Sequence, residues 1–282
     1  MRYIIILITL TMLTANSTYA QTANAGHYAD INGLHMYYEL HGEGPALVLI
    51  HGGGSTINTS FSQLLPALAR HYQVIAVEMQ AHGRTNDRNQ PLSFEQDADD
   101  VSALLDHLNI KSAAIFGFSN GATTALLMAI RHPQQVTRVV AASGAYKRTG
   151  CDPRFWEGFQ HASLDNMPQP LKDAYLQVAP DPKGLQTMFN RDVERMRNFE
   201  DMKDEEIRSI TVPVLVLHSD HDVSSPEHAV ETYRLLQHGE LAILPGGHGE
   251  YMGAAETSQA GNTMPAATLT ILTTFLDKPI AK

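Results

Sequence analysis

The chain has 282 residues, 43% hydrophobic and 18% charged, which suits one large domain with a substantial core. Its formal net charge is −10, and no lysine or arginine cluster points to nucleic acid or an anionic membrane surface as a partner. Cys151 is the only cysteine, which excludes an internal disulfide, and no Cys/His set has zinc spacing, so no metal is expected.

Residues 1 to 20 read as a targeting segment outside the fold. Arg2 supplies a positive start, Ile4 to Leu13 form an apolar stretch too short to span a bilayer, and Thr18-Tyr19-Ala20 ends in the small residue a signal peptidase needs. Cleavage after Ala20 is expected, with Ala23-Asn24-Ala25 as a second site. No cysteine follows either site, which argues against a lipid anchor; an uncleaved membrane anchor is the competing reading. The segment holds Arg2 and no acid, so residues 21 to 282 carry −10 − 1 = −11. A secreted or periplasmic location follows, with no stable membrane insertion after cleavage.

Tyr28 to Ile31 and Leu34 to Leu40 flank Asn32-Gly33, a hairpin signal that predicts two antiparallel strands at a sheet edge. Ala46 to Ile50 is a continuous apolar run, as a strand buried on both faces requires, and it leads into His51-Gly52-Gly53-Gly54. Phe61 to His71 has helical spacing, Tyr72 to Met79 reads as a strand, and Ser93 to Leu108 as an amphipathic helix with Ser93 as N-cap and Gln96 closing a capping box. Strands follow at Ser112 to Phe116, Val136 to Ala142, Val212 to Leu217 and Leu241 to Leu244. Helices are expected over Ala122 to Ile130, over Pro226 to Gln237 behind Ser224 or Ser225, and over about Thr263 to Leu276. Alternating strand and helix implies an α/β fold, a parallel sheet with helices on both faces.

The alternation stops between residues 146 and 209. That stretch holds Pro153, Pro168, Pro170, Pro180 and Pro182, many aromatic and methionine residues, and helical spacing from Leu185 to Phe199. It reads as a helical cap over the carboxyl edge of the sheet, dividing the core into 21–145 and 210–282. Phe155, Trp156 and Phe159 are expected to turn one aromatic face to the substrate, with Met188 as an adaptable wall.

The chemistry centres on Gly117-Phe118-Ser119-Asn120-Gly121. Between a strand and a helix, Gly-x-Ser-x-Gly makes a turn so tight that only glycine fits at its flanks, leaving the serine hydroxyl exposed at the end of the sheet. A serine nucleophile needs a base, and the base needs an orienting carboxylate. Loops at strand carboxyl ends are the place to look for them. Asp220 and Asp222 follow one strand and His248 follows the next, in the order serine, acid, base. His248 is expected as base and Asp222 as its carboxylate, while Asp220 is expected to brace the loop through backbone N–H groups. Oxyanion donors are expected from Asn120 N–H and Gly53 N–H, with Gly54 in reserve.

The stretches Tyr37 to Pro45, Leu49 to Gly52, Gly117 to Gly121, Leu217 to Asp222 and Pro245 to His248 together resemble the α/β-hydrolase family over nearly all of residues 28 to 276. The resemblance implies an eight-stranded, mostly parallel sheet, a helical cap after the sixth strand, and hydrolysis without a cofactor through Ser119, Asp222 and His248. Serine at the elbow excludes the relatives with an aspartate nucleophile. Glu78 stands where the family usually has aspartate, and Ala81 where it often has glycine, in a loop that borders the pocket. Some secreted bacterial relatives are esterases, including macrolide esterases that open an antibiotic lactone. The expected partner is therefore a small-molecule ester or lactone. The competing functions are a perhydrolase, acyltransferase or C–C bond hydrolase using the same triad, and a non-catalytic ligand-binding protein on the same scaffold.

Overall fold

The computed structural model describes residues 26–279; the targeting segment and its cleavage sites lie outside the described residues. The chain opens with β1 (His27–Ile31) and β2 (Leu34–His41), joined by Asn32 and Gly33 at φ 47° and 83°. Two successive positive φ angles match the right-handed twist of a hairpin, which is why Asn-Gly stands there. Next come β3 (Ala46–Ile50), α1 (Ile57–Phe61), α2 (Leu65–Leu68), β4 (Gln73–Val77), α3 (Phe94–His107), β5 (Ala113–Phe118), α4 (Asn120–Arg131) and β6 (Val136–Ala142). Four helices separate β6 from β7 (Val214–His221): α5 (Pro153–Gln160), α6 (Gln169–Val178), α7 (Gly184–Arg197) and α8 (Asp204–Arg208). The chain then forms α9 (Pro226–Leu235), β8 (Gly239–Gly247) and α10 (Met264–Leu276).

Eight strands pair in the order β1-β2-β4-β3-β5-β6-β7-β8. β1 with β2 and β2 with β4 are antiparallel, and the remaining pairs are parallel. Period-2 alternation divides the strand residues between two cores. Val48, Ile50, Ile75, Val77 and Ile115 pack with α3, α4 and α9 on one face. Leu47, Leu49, Val74, Ala76, Phe116, Leu215 and Leu217 pack with α1, α2 and α10 on the other. Both faces of β3 are thus fully covered, which accounts for its unbroken apolar sequence. Each such valine, leucine, isoleucine or phenylalanine side chain contributes about 1.5–3 kcal/mol on burial.

Several local expectations are revised. The helix expected over Phe61 to His71 is two short helices. Thr56 caps α1, accepting from Thr59 N while Thr59 Oγ1 accepts from Thr56 N, and Pro66 opens the first turn of α2. Ser93 does cap α3, but Gln96 gives its amide to Asp100 instead of closing the capping box. Ser225 caps α9; Ser224 is held by His218. β7 and β8 run past the expected ends, so Asp220 and Gly246 still belong to the sheet edge.

Arg138, buried on β6, donates to Phe275 O at 2.5 Å and Lys278 O at 2.6 Å. These carbonyls lie at the end of α10, where a cation complements both the orphan acceptors and the helix dipole. Arg138→Ala should cost about 2–3 kcal/mol, since hydrogen bonds to a charged group are lost and carbonyls stay buried. Urea unfolding reads this cost, and activity per folded molecule should stay within twofold, because Arg138 lies at the amino end of β6.

Candidate active site

Ser119 links β5 to α4 at φ 55° and ψ −120°, a conformation that L residues rarely adopt. Such a backbone costs about 1–3 kcal/mol and persists only where its surroundings dictate it. Here they do. A Cβ on Gly117 would come within 1.9 Å of Gly121 O, and a Cβ on Gly121 within 2.2 Å of Ile50 O. The two glycines let α4 begin directly against β3 and β5, with Ser119 N donating to Ala142 O at 2.8 Å.

Ser119 Oγ donates to His248 Nε2 at 3.0 Å, and His248 Nδ1–H donates to Asp222 Oδ1 at 2.5 Å. His248 follows β8, and Asp222 follows β7. Asp222 also accepts from Ser143 Oγ at 2.5 Å, Val223 N at 2.8 Å and Ser219 N at 3.3 Å. Burial alone would raise the Asp222 pKa, but the His248 imidazole, His218 and Ser143 together hold it well below the usual carboxylate range. Burial likewise opposes the His248 imidazolium, yet the Asp222 charge and hydrogen bond outweigh it and raise the His248 pKa. Nε2 of a neutral His248 can therefore accept a proton from Ser119, while Asp222 stabilises the imidazolium that results.

Asp220 stands apart from this chain. It is a partner of His221 and accepts from Gly246 N at 2.9 Å, at the edge of the sheet.

The loop after β3 faces Ser119. His51 stays neutral, since burial pulls its pKa down to about 3. It donates from Nδ1 to Gly52 O at 2.7 Å and accepts from Met79 N at Nε2 at 3.0 Å. Gly54 N–H is taken by Asp192 Oδ2 at 2.6 Å, so the reserve oxyanion donor is already spent. Gly53 N–H and Asn120 N–H have no acceptor among the described residues. A Cβ on Gly53 would lie 2.5 Å from Asn120 Nδ2, and Gly53, Ser119 and Asn120 line one cavity.

A cavity of about 470 Å³ opens there. Gly53, Gly54, Ser119 and Asn120 form its floor. Phe155 and Phe159 from α5, and Met188, Phe189, Val193 and Met196 from α7, form its walls. Trp156 does not reach it, which corrects the expectation of three aromatic residues on one face. Residues 155 and 159 share a helix face, but residue 156 lies about 100° away from 155. Trp156 is buried against Phe199 and under the Arg148 guanidinium, with its N–H donated to Arg148 O at 2.8 Å.

Two participants were missed in the sequence. Ser143 directly follows β6, so the rule of strand carboxyl ends would have found it. Asp192 interrupts the apolar stripe Leu185, Met188, Met196 on α7, which is a visible signal for a buried acid. The Glu78 substitution is structural: Glu78 is fully buried, accepts from Arg84 N at 2.6 Å and Arg84 Nη1 at 2.8 Å, and lies against Gly83. The same loop brings His82 against Asp192, and Ala81 adopts φ 65°, which explains why glycine suits that position.

A family model described as an alpha/beta hydrolase fold matches residues 45–199, more than half of the chain. The chain is 27% identical over 234 residues to human (Homo sapiens) serine hydrolase BPHL, covering 77% of each. It is 30% identical over 230 residues to the dihydrolipoyllysine-residue acetyltransferase component of an acetoin cleaving system from Pseudomonas putida, covering 78% of this chain and 59% of that one. The chain spans about half the length of several curated relatives, from 40% to 59%. Among solved structures, an enol-lactonase from Burkholderia xenovorans superposes with TM-score 0.70 at 22% identity, over 89% of this chain and 100% of that one. Carboxylesterase CesB from Bacillus subtilis superposes with TM-score 0.69 at 19% identity, over 91% and 93%. At these identities the structural likeness is one of fold.

Two outcomes test this geometry. With Asp222→Asn, the pH at which kcat/KM rises should fall, because the carboxylate that raises the His248 pKa is gone, and the rate should drop on the order of 10²–10⁴-fold; Asp220→Asn should leave the pH profile in place. Trp156→Ala should cost about 3–5 kcal/mol of stability and change turnover of small and large esters by equal factors.

Proposed function

The chain belongs to the α/β-hydrolase fold family, and we propose that it hydrolyses a carboxylic ester or lactone through an acyl-enzyme on Ser119. The observation that carries this reading is the continuous hydrogen-bonded series Ser119–His248–Asp222, with two uncommitted backbone N–H groups beside the serine. Ser119 Oγ attacks the acyl carbon as His248 Nε2 takes its proton. Gly53 and Asn120 N–H hold the oxyanion, in fixed positions that need no reorganisation as charge develops. His248 then passes the proton to the departing alkoxide, which in a lactone stays attached to the acyl group. Water then attacks the acyl carbon as His248 takes its proton, and His248 returns that proton to Ser119 Oγ as the bond to the acyl group breaks and the acid leaves.

The apolar walls support a bulky, hydrophobic substrate, and a macrolide lactone is the finer proposal. Helices α5 to α7 serve in this reading as the cap, since they supply the wall residues. Export from the cytoplasm, with cleavage after Ala20, rests on residues 1 to 20 of the sequence. Among the described residues, no helix is long and apolar enough to cross a membrane.

Ser119→Ala should lower kcat/KM on an aryl ester by about 10⁴-fold or more, since triad members act as a unit. The unsubstituted enzyme should show kcat/KM rising with pH, with a midpoint above the 6.5 of an ordinary imidazole. The sign follows from the raised pKa: His248 stays protonated, and unable to act as base, to a higher pH. A flat profile between pH 5 and 9 with chemistry limiting would speak against a histidine base. Phe159→Ala should lower kcat/KM roughly tenfold on a large hydrophobic ester or macrolactone and leave an acetate ester nearly unaffected. Equal losses on both would mean that this wall does not touch substrate.

A further inference from the structure

We propose that Asp192, on α7, is a positioning residue that clamps the oxyanion loop and so sets the placement of the Gly53 N–H donor. Three consecutive glycines give that loop more conformational freedom than any other sequence would, and a preorganised donor cannot sit on a mobile backbone. The structure ties down four of the loop's other polar groups. Gly52 N donates to Ser60 Oγ at 3.3 Å, and Gly52 O accepts from His51 Nδ1 at 2.7 Å and from Ser55 N at 3.3 Å. Gly53 O accepts from Ser55 Oγ at 3.4 Å, and Gly54 N donates to Asp192 Oδ2 at 2.6 Å. Gly53 N–H is left unengaged. The Asp192 bond is the shortest of these tethers and the one that comes from the helical insertion.

Asp192 is itself held rigidly. Its Oδ2 also faces His82 Nε2 at 2.9 Å, and its Oδ1 accepts from Arg195 Nη2 at 2.6 Å. Arg195 Nη1 donates to Asp97 Oδ2 at 2.7 Å on α3, with the guanidinium over the Phe94 ring. His82 Nδ1 lies 2.8 Å from Gln80 O, and Gly54 N is also 3.2 Å from His82 Nε2, so His82 and Asp192 hold Gly54 N–H between them. The clamp therefore joins the oxyanion loop, the loop after β4, α3 and α7. Because α7 also carries Met188, Phe189, Val193 and Met196 into the cavity, the wall that meets the substrate and the donor that meets the oxyanion move as one body.

The inference rests on Ser119 being a nucleophile, so its test uses a fluorophosphonate, whose attack needs the oxyanion site but no knowledge of the natural substrate. Labelling rates are compared for wild type, Asp192→Ala, Asp192→Asn and Arg138→Ala, the last a stability control at the opposite end of the sheet. Folding is checked by circular dichroism, and rates are taken per folded molecule. The expected result is labelling of both Asp192 variants on the order of 10²-fold slower, with Arg138→Ala close to wild type. On an acetate ester the same variants should lose kcat with KM within about threefold, because the donor acts on the transition state rather than on bound substrate. Wild-type labelling rates in both Asp192 variants would overturn the clamp while leaving Ser119 as nucleophile. Absence of labelling in wild type would overturn the nucleophile and the clamp with it.

Discussion

The structure depends on one backbone constraint: Ser119 held at positive φ between β5 and α4. That conformation exists because α4 starts in contact with β3, and the contact exists because Gly117 and Gly121 have no Cβ. Closing the elbow brings Asn120 N–H to the loop after β3, the hydroxyl to the loop after β8, and the N-terminus of α4 beneath both. The parallel order β3, β5, β6, β7, β8 then delivers the other participants except Asp192 from strand ends: the glycine loop from β3, Ser143 from β6, Asp222 from β7 and His248 from β8. The strain at one residue is sustained by two cores that bury nearly all of the central strands.

Buried charge at this site is arranged in two separate sets. Asp222 is surrounded by donors, namely His248, Ser143, Ser219 N and Val223 N, and faces the nucleophile through the imidazole alone. Asp192 is surrounded by Arg195, His82 and Gly54 N on the other side of the cavity. Burial pushes the Asp97 carboxyl at the far end of that set up to about 6, with Arg195 pulling the other way. Both carboxylates survive burial because every oxygen is satisfied, the condition under which a buried ion is tolerated. The cavity is walled mainly by aromatic, methionine, leucine and valine side chains, with Ser163, Asn166 and Asp192 as its polar lining outside the floor.

The fold was legible in the sequence because its signals are local. Continuous apolar runs marked the buried strands, Asn32-Gly33 marked the hairpin, and Gly-x-Ser-x-Gly marked the elbow. Asp222 and His248 were legible because topology confines candidates to strand ends, which reduced the search to two short loops. What escaped was set by tertiary contacts. Helical spacing sets Trp156 apart from Phe155 and Phe159, but which side meets the cavity is fixed by the distant contacts of Trp156 with Arg148 and Phe199. Asp192 and Gly54 are 138 positions apart, and Ser143 and Asp222 are 79 apart, beyond any motif. Gln96 was assigned to a cap by spacing, but its side chain turns one helical turn onward and donates to Asp100.

The most direct test of the account is rapid chemical quench of the enzyme with an activated aryl ester, followed by peptide mapping in a mass spectrometer. The account predicts that, within the first turnover, one acyl group appears on the peptide containing Ser119 and disappears as acid is released. Steady ester turnover with no acyl group on Ser119, or with the acyl group on another residue, would contradict it.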